Sequence, residues 1–193
     1  MLKRALLPAT LAMALAGCIS LAPKPPEQLI TLTPARMASP GSDVAGPATS
    51  VLAVVEPTAE QRLSVTRVPV QVSDSGVAYL KDAVWVEKPT RLFQQLLAET
   101  IRARGARLVV GEGGLGYSAA TTLSGRLLDI GYDAATSSVI VRYDAVLQMP
   151  DGNVRTRRFE SRVPGIAPDV TAVGPALNQA ANQVAAEVAE WVG

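Results

Sequence analysis

Only one cysteine occurs in the 193 residues, Cys18, so no disulfide can form within the chain. It follows Leu15-Ala16-Gly17 and an apolar run from Ala5 to Leu15 that opens behind Lys3 and Arg4. A basic start, an apolar middle and small residues before a cut are the layout of a secretory signal, here residues 1–17. The run is too short to span a bilayer, which takes about 20 apolar residues. Export leads to an oxidising compartment where small domains are commonly stapled by disulfides. Without one, stability has to come from packing alone.

The sequence Leu15-Ala16-Gly17-Cys18 resembles the lipobox of bacterial lipoproteins, in which the cysteine sulfur accepts a diacylglycerol before the signal is cut in front of it. That chemistry needs a thiolate nucleophile, which serine does not supply. The resemblance implies that Cys18 is the lipidation site. One acyl chain holds a protein to a bilayer only marginally, whereas two or more anchor it stably, at about 0.8 kcal/mol per buried methylene. In lipoprotein sorting, an aspartate after the cysteine retains a protein in the inner membrane. Ile19 stands there instead, which implies the periplasmic face of the outer membrane.

Loss of the leader removes two of the 18 basic residues and leaves 16 against 17 acidic ones. A balance this close to neutral makes no electrostatic case for nucleic acid. Histidine is absent from the chain. That takes away the usual general base at neutral pH and the commonest metal ligand, so no enzyme, metal or cofactor is expected. The remaining length suits one domain with a real core.

Residues 18–50 combine the lipidated cysteine with a stretch rich in Pro, Gly and Ser that reads as a tether. Within it Gln28-Leu29-Ile30-Thr31-Leu32 alternates and is β-prone, suited to an edge strand ended by Pro34. The folded domain, 51–193, begins with the apolar run Val51 to Val55. Strands are expected at 65–72 and 77–80 across the turn Ser73-Asp74-Ser75-Gly76. A helix follows from Pro89 to Arg104, with Leu92, Phe93, Leu96, Leu97 and Ile101 on one face and Gly105 after its last turn. A strand at 107–110, a glycine-rich turn, and strands at 121–130, 138–149 and 153–163 precede a final helix, 171–191, capped by Asp169. Asn178 and Asn182 are read on its solvent face. The order predicts an α+β domain, two helices packed on one face of a largely antiparallel sheet.

Four clusters invite chemistry. Gly111-Glu112-Gly113-Gly114-Leu115-Gly116 fits a dinucleotide fingerprint, yet β-like alternation follows it where a helix should start, so a loop is the better reading. Arg155, Arg157, Arg158 and Arg162 could meet lipid headgroups, but edge strands are routinely blunted by charge. Asp129 and Asp133, with Ser137 and Ser138, match no metal spacing and read as turn residues. Tyr79, Trp85, Pro89 and Phe93 concentrate aromatic residues in a chain that is only 4% aromatic. Both core filling and an apolar groove for a partner or lipid account for them.

These last residues carry a wider likeness. The lipobox cysteine, the strand at 28–32, Ala83-Val84-Trp85-Val86-Glu87-Lys88-Pro89, the Leu-rich helix ending at Gly105 and Arg107-Leu108-Val109-Val110 resemble the ABC-type transport auxiliary lipoproteins, the paraquat-inducible protein C-like family. Lys88 departs from that pattern, which commonly has a second proline there. The resemblance implies a non-catalytic component of an intermembrane lipid transport system. It would work with a substrate-binding protein of the mammalian-cell-entry type and with ABC transporter subunits, and it leaves a homo-oligomer open. Two other classes stand beside it: a structural lipoprotein assisting another outer-membrane machine, and an envelope hydrolase built on a pair such as Ser75 and Lys81.

Overall fold

The computed structural model describes residues 28–47, 50–110 and 119–193; Cys18 and the glycine cluster at 111–116 lie outside these. The elements are β1 (Val51–Val54), β2 (Thr58–Ala59), a 3-10 turn (Gln61–Leu63), β3 (Arg67–Gln71), β4 (Val77–Val84), α1 (Pro89–Ala103), β5 (Leu108–Val110), β6 (Thr121–Asp133), β7 (Ser138–Gln148), β8 (Val154–Pro164) and α2 (Val170–Val192).

All eight strands join one sheet. On one edge of β6 runs the antiparallel meander β6-β7-β8, paired from Thr122↔Gln148 to Asp133↔Ser138 and from Ser138↔Pro164 to Gln148↔Val154. On the other edge β1, β2 and β3 follow one another, all parallel to β6, at Leu52↔Thr121, Thr58↔Arg126 and Val70↔Tyr132. The segment 51–71 thus accompanies β6 along most of its length, interrupted near Pro57 and at the 3-10 turn. β5 then pairs in parallel with β1, and β4 antiparallel with β3.

The sheet is therefore mixed and partly parallel, which corrects the expectation of a largely antiparallel one. Tight turns announce antiparallel neighbours locally, whereas a parallel neighbour is reached only by a long crossover that leaves no local mark. β1 meets β6 across almost seventy residues.

Both helices cover the same face. Tyr143 and Phe159 stand opposite each other on β7 and β8. The Phe93 ring of α1 meets Tyr143 edge-on at 5.3 Å, and the Trp191 ring of α2 meets Phe159 at 5.7 Å. Val139, Val141, Ala145 and Leu147 complete the buried side of β7 and join Leu96, Leu97, Leu177 and Val184 in one core. Alanines 176, 180, 181, 185 and 189 let α2 approach closely. Asp169 caps that helix, accepting from the Thr171 and Ala172 N–H groups at 3.0 Å each. Gly105 adopts φ 71° after α1, the left-handed residue that closes the helix. Two polar side chains of α1 are buried because they hold the β1 end: Gln94 Nε2 donates to Val54 O at 2.9 Å, and the Thr90 hydroxyl donates to Glu56.

Tyr143 also locks the centre of the sheet. Its hydroxyl donates to Ser124 O at 2.7 Å, so its ring lies across Gly125, whose φ is 154°. A Cβ on Gly125 would stand 2.1 Å from Asp144 O and 2.8 Å from the Tyr143 ring. Gly125→Ala should therefore lower stability by about 3 kcal/mol, seen as a lower urea midpoint. Gly174→Ala is the control: its Cβ would meet Ile30 at an ordinary 3.8 Å, and the change should be neutral or stabilise by about 0.5 kcal/mol.

Candidate functional site at the helix face

Residues 28–38 lie as an extended strap over α1 and α2. Ile30 pairs with Trp85, its N–H donating to Val84 O at 2.7 Å while its carbonyl accepts from Val86 N–H at 2.9 Å. Ile30 and Leu32 are buried in the core. The alternation of 28–32 is satisfied by this single bridge and two buried side chains.

Beyond Leu32 side chains replace strands as partners. The Thr33 N–H donates to Asn178 Oδ1 at 2.8 Å and the Ala35 N–H to Asn182 Oδ1 at 2.7 Å. Asn182 Nδ2 returns a bond to Thr33 O at 2.9 Å. Further on, the Ala38 N–H donates to Glu99 Oε1 at 2.8 Å. Two asparagines one helical turn apart thus read alternate backbone amides, as a neighbouring strand would. Sequence reasoning missed them by assigning both to the solvent face. A signal was present, because asparagine is a poor helix former and two at i, i+4 invite a purpose.

Grooves flank this strap. One of about 440 Å³ lies between Gln28–Thr33 and the first turns of α2, around Gly174 and Pro175. Another of about 570 Å³ opens between the helices beside Ala35 and Arg36, with Ala103, Ala186 and Ala189 in its walls.

The four residues singled out from the sequence are not gathered at an opening. Trp85 and Phe93 are 1% and 0% exposed. Pro89 is buried as the first residue of α1. Tyr79 stands apart on β4, half-buried, with the Arg67 guanidinium 4.3 Å above its ring. The buried Trp85 indole N–H has no acceptor among the described residues.

The uncovered face of the sheet is a lattice of opposite charges. Asp129, in mid-strand rather than in a turn, lies between Arg62 (2.5 Å) and Arg142 (2.7 Å). Arg142 reaches Glu160 at 2.6 Å, Arg158 takes both oxygens of Asp144 at 2.6 and 2.7 Å, and Arg162 meets Asp133 at 3.1 Å. Asp133 does serve a turn, accepting from the Ala135 N–H. Ser138 is fully buried and its hydroxyl bonds Thr136 and Arg162. Of the basic strip on β8, Arg158 and Arg162 belong to this lattice. Arg155 and Arg157 turn to the helix side and stack on Trp191 (4.9 Å) and Phe159 (5.0 Å).

Hydrogen bonds from Arg142 and Arg158 hold the Glu160 and Asp144 carboxyls below their usual range. Among the described residues no group of three or more His, Cys, Asp or Glu could hold a metal, and no helix is long and apolar enough to cross a membrane. Ser75 lies in the exposed β3–β4 turn and Lys81 is exposed on β4, without a hydrogen bond between them.

Residues 31–189 match the family described as ABC-type transport auxiliary lipoprotein component, and the chain belongs to that family. It is accordingly an auxiliary lipoprotein of an ABC-type transport system, anchored to a membrane of the cell envelope. The crystal structure of protein XCC0632 from Xanthomonas campestris has the same fold, with a TM-score of 0.71 and 19% identity over 86% of this chain and 94% of that one. The crystal structure of an uncharacterized protein follows at 0.64 and 16%, over 76% and 95%. A PelC dodecamer from Paraburkholderia phytofirmans overlaps at 0.44 and 19%, over 76% and 91%, too loosely to carry an argument. No curated protein matches the sequence.

Two outcomes are expected. Asn178→Ala with Asn182→Ala should raise amide exchange across residues 30–36 at least tenfold while the β6–β7 amides keep their protection, since each lost bond is worth about 1 kcal/mol. A carboxyl held below its ordinary value, near 4.5 for Glu160, stabilises the fold only when ionised. Its contribution is complete above about pH 5 and is lost as pH falls through the depressed value. Glu160→Gln should flatten the fall in melting temperature between about pH 5 and 3, by the equivalent of less than about 1 kcal/mol because the side chain is 37% exposed.

Proposed function

We propose that this auxiliary lipoprotein is a non-catalytic docking module of an intermembrane lipid transport system, held on the periplasmic face of the outer membrane by acyl chains on Cys18. The observation that carries it is the family match over 31–189 joined to a lone cysteine at the end of a lipobox-like signal. Two or more acyl chains make such an attachment stable. Ile19 after the cysteine favours the outer membrane, by the sorting pattern of such lipoproteins. The partners are a mammalian-cell-entry-type substrate-binding protein and the subunits of its ABC transporter.

Within this reading Trp85, Pro89 and Phe93 act from beneath, setting the shape of the β4–α1 junction and the seat of the strap. Tyr79, with Arg67 stacked on it, is the member of that group with ring surface available to a partner. Grooves on either side of the strap are the places where an extended segment of a partner has room.

Cys18→Ser should leave the protein in the soluble or signal-anchored fraction and empty the outer-membrane fraction on a density gradient. An unchanged gradient would refute lipidation. Cross-linking of the tagged wild type in cells should recover a mammalian-cell-entry-type protein. Recovery of another outer-membrane assembly in its place would favour the structural role instead.

A further inference from the structure

We infer that the strap turns one end of the domain toward the membrane: the end carrying the β3–β4 turn lies against the lipid surface that holds the anchor. The inference rests on lipidation of Cys18, as proposed above.

Read as a tether from Cys18 to Val51, the N-terminal region could extend to roughly 110 Å and would impose no orientation. Because the body already holds residues 28–38, the chain between the anchor and the body runs only from Cys18 to Gln28. Ten residues from Cys18 extend to at most about 35 Å. That is close to the length of α2, whose 23 residues rise about 34 Å. Turning the other end to the bilayer would require those ten residues to be drawn out fully along the whole length of the body, whereas the exit end needs no such extension.

The strap leaves the body at a definite end. Ile30 runs parallel to β4 at Trp85, so following the chain back toward Gln28 leads toward the start of β4 at Val77. Gln28 and Leu29 also line the groove at the first turns of α2. Three connections meet at that same end, tied to one another: the Ala134 N–H donates to Gln71 O at 2.9 Å, the Ile166 N–H to Ser137 O at 2.9 Å, and the Tyr132 hydroxyl to Ile166 O at 2.8 Å. At the other end lie the last turn of α2, where Trp191 packs on Phe159, and the β7–β8 turn at 149–153.

The surface of the leash end suits lipid. Val72 and Val77 flank the β3–β4 turn with 50% and 43% of their surface exposed, and Leu29 beside the exit is 52% exposed. The exposed valine at the far end, Val154, stands among arginines 155, 157 and 158. A short leash keeps the apolar end at the bilayer, where three partly exposed aliphatic side chains lose water at the headgroup boundary.

The test uses the full lipidated chain in vesicles of phosphatidylethanolamine and phosphatidylglycerol containing a headgroup-nitroxide lipid. Acylated Cys18 has no free thiol, so a fluorophore on Ser75→Cys or on Val154→Cys is the single label. Quenching at position 75 should exceed that at 154 at least threefold. Inserting about 20 Gly and Ser residues after Glu27 lengthens the leash without touching the body and should remove that contrast. Flotation and the mass of the N-terminal peptide report the anchor separately. A chain that floats but is quenched equally at both positions, or more at 154, overturns the orientation and leaves lipidation standing. A contrast that survives the insertion overturns the leash as its cause, and one that appears only after a transporter subunit is added assigns this end to a protein partner instead. A chain without acyl groups that does not float removes both.

Discussion

Hydrogen bonding along both edges of β6 is the condition on which the other elements depend. One edge carries the antiparallel ladder to β7, shifted once in register between Leu127 and Asp129. The other edge is shared by β1, β2 and β3 in turn. β1 then supports β5, and β3 supports β4, so an eight-stranded sheet hangs on one thirteen-residue strand. Where the neighbours come closest, β6 carries glycine: Gly125 beneath Tyr143, and Gly131, where a Cβ would stand 2.5 Å from Pro69 O. With no covalent staple, this doubly bonded strand and the aromatic contacts above it do the work that a disulfide does in many exported domains.

The two faces of the sheet divide the labour. One is dry and built from aliphatic and aromatic side chains under the helices. The other alternates sign from strand to strand, and its ion pairs are partly exposed, so each contributes little to stability. Their effect is rather on association. A sheet face whose charges are already matched presents little net field and little apolar surface, and so is a poor partner for another sheet.

Much of this was legible in the sequence because it is local. The period of Leu92, Phe93, Leu96 and Ile101, the cap at Asp169, the left-handed Gly105 and the alternation of Val139 to Leu147 each depend on a few neighbouring residues, and α1, β7 and α2 begin and end within one residue of their expected places. Parallel pairing of β1 to β6 depends on a distant partner and was not legible. β4 extends to Val84, past its expected end at Leu80, because β3 and the strap supply partners that the turn signals do not announce. The candidate site shows the same division. Trp85 and Phe93 stood out as aromatic residues, but whether an aromatic fills a core or lines a groove is decided by elements elsewhere in the chain. Asn178 and Asn182 looked solvent-facing because the backbone they bind lies about 145 residues away.

The strap also means that the body holds its own N-terminal segment by two kinds of link in parallel. From Ser39 to Pro47 the connecting chain is exposed throughout, a natural target for an envelope protease. Before that stretch the attachment is not peptide alone: Ile30 and Leu32 sit in the core and six hydrogen bonds, from Val84 and Val86 through Asn178, Asn182 and Glu99, grip the backbone. A single nick in the connection would therefore leave a two-piece protein whose shorter fragment stays docked, and severing the peptide bond would not by itself free the domain.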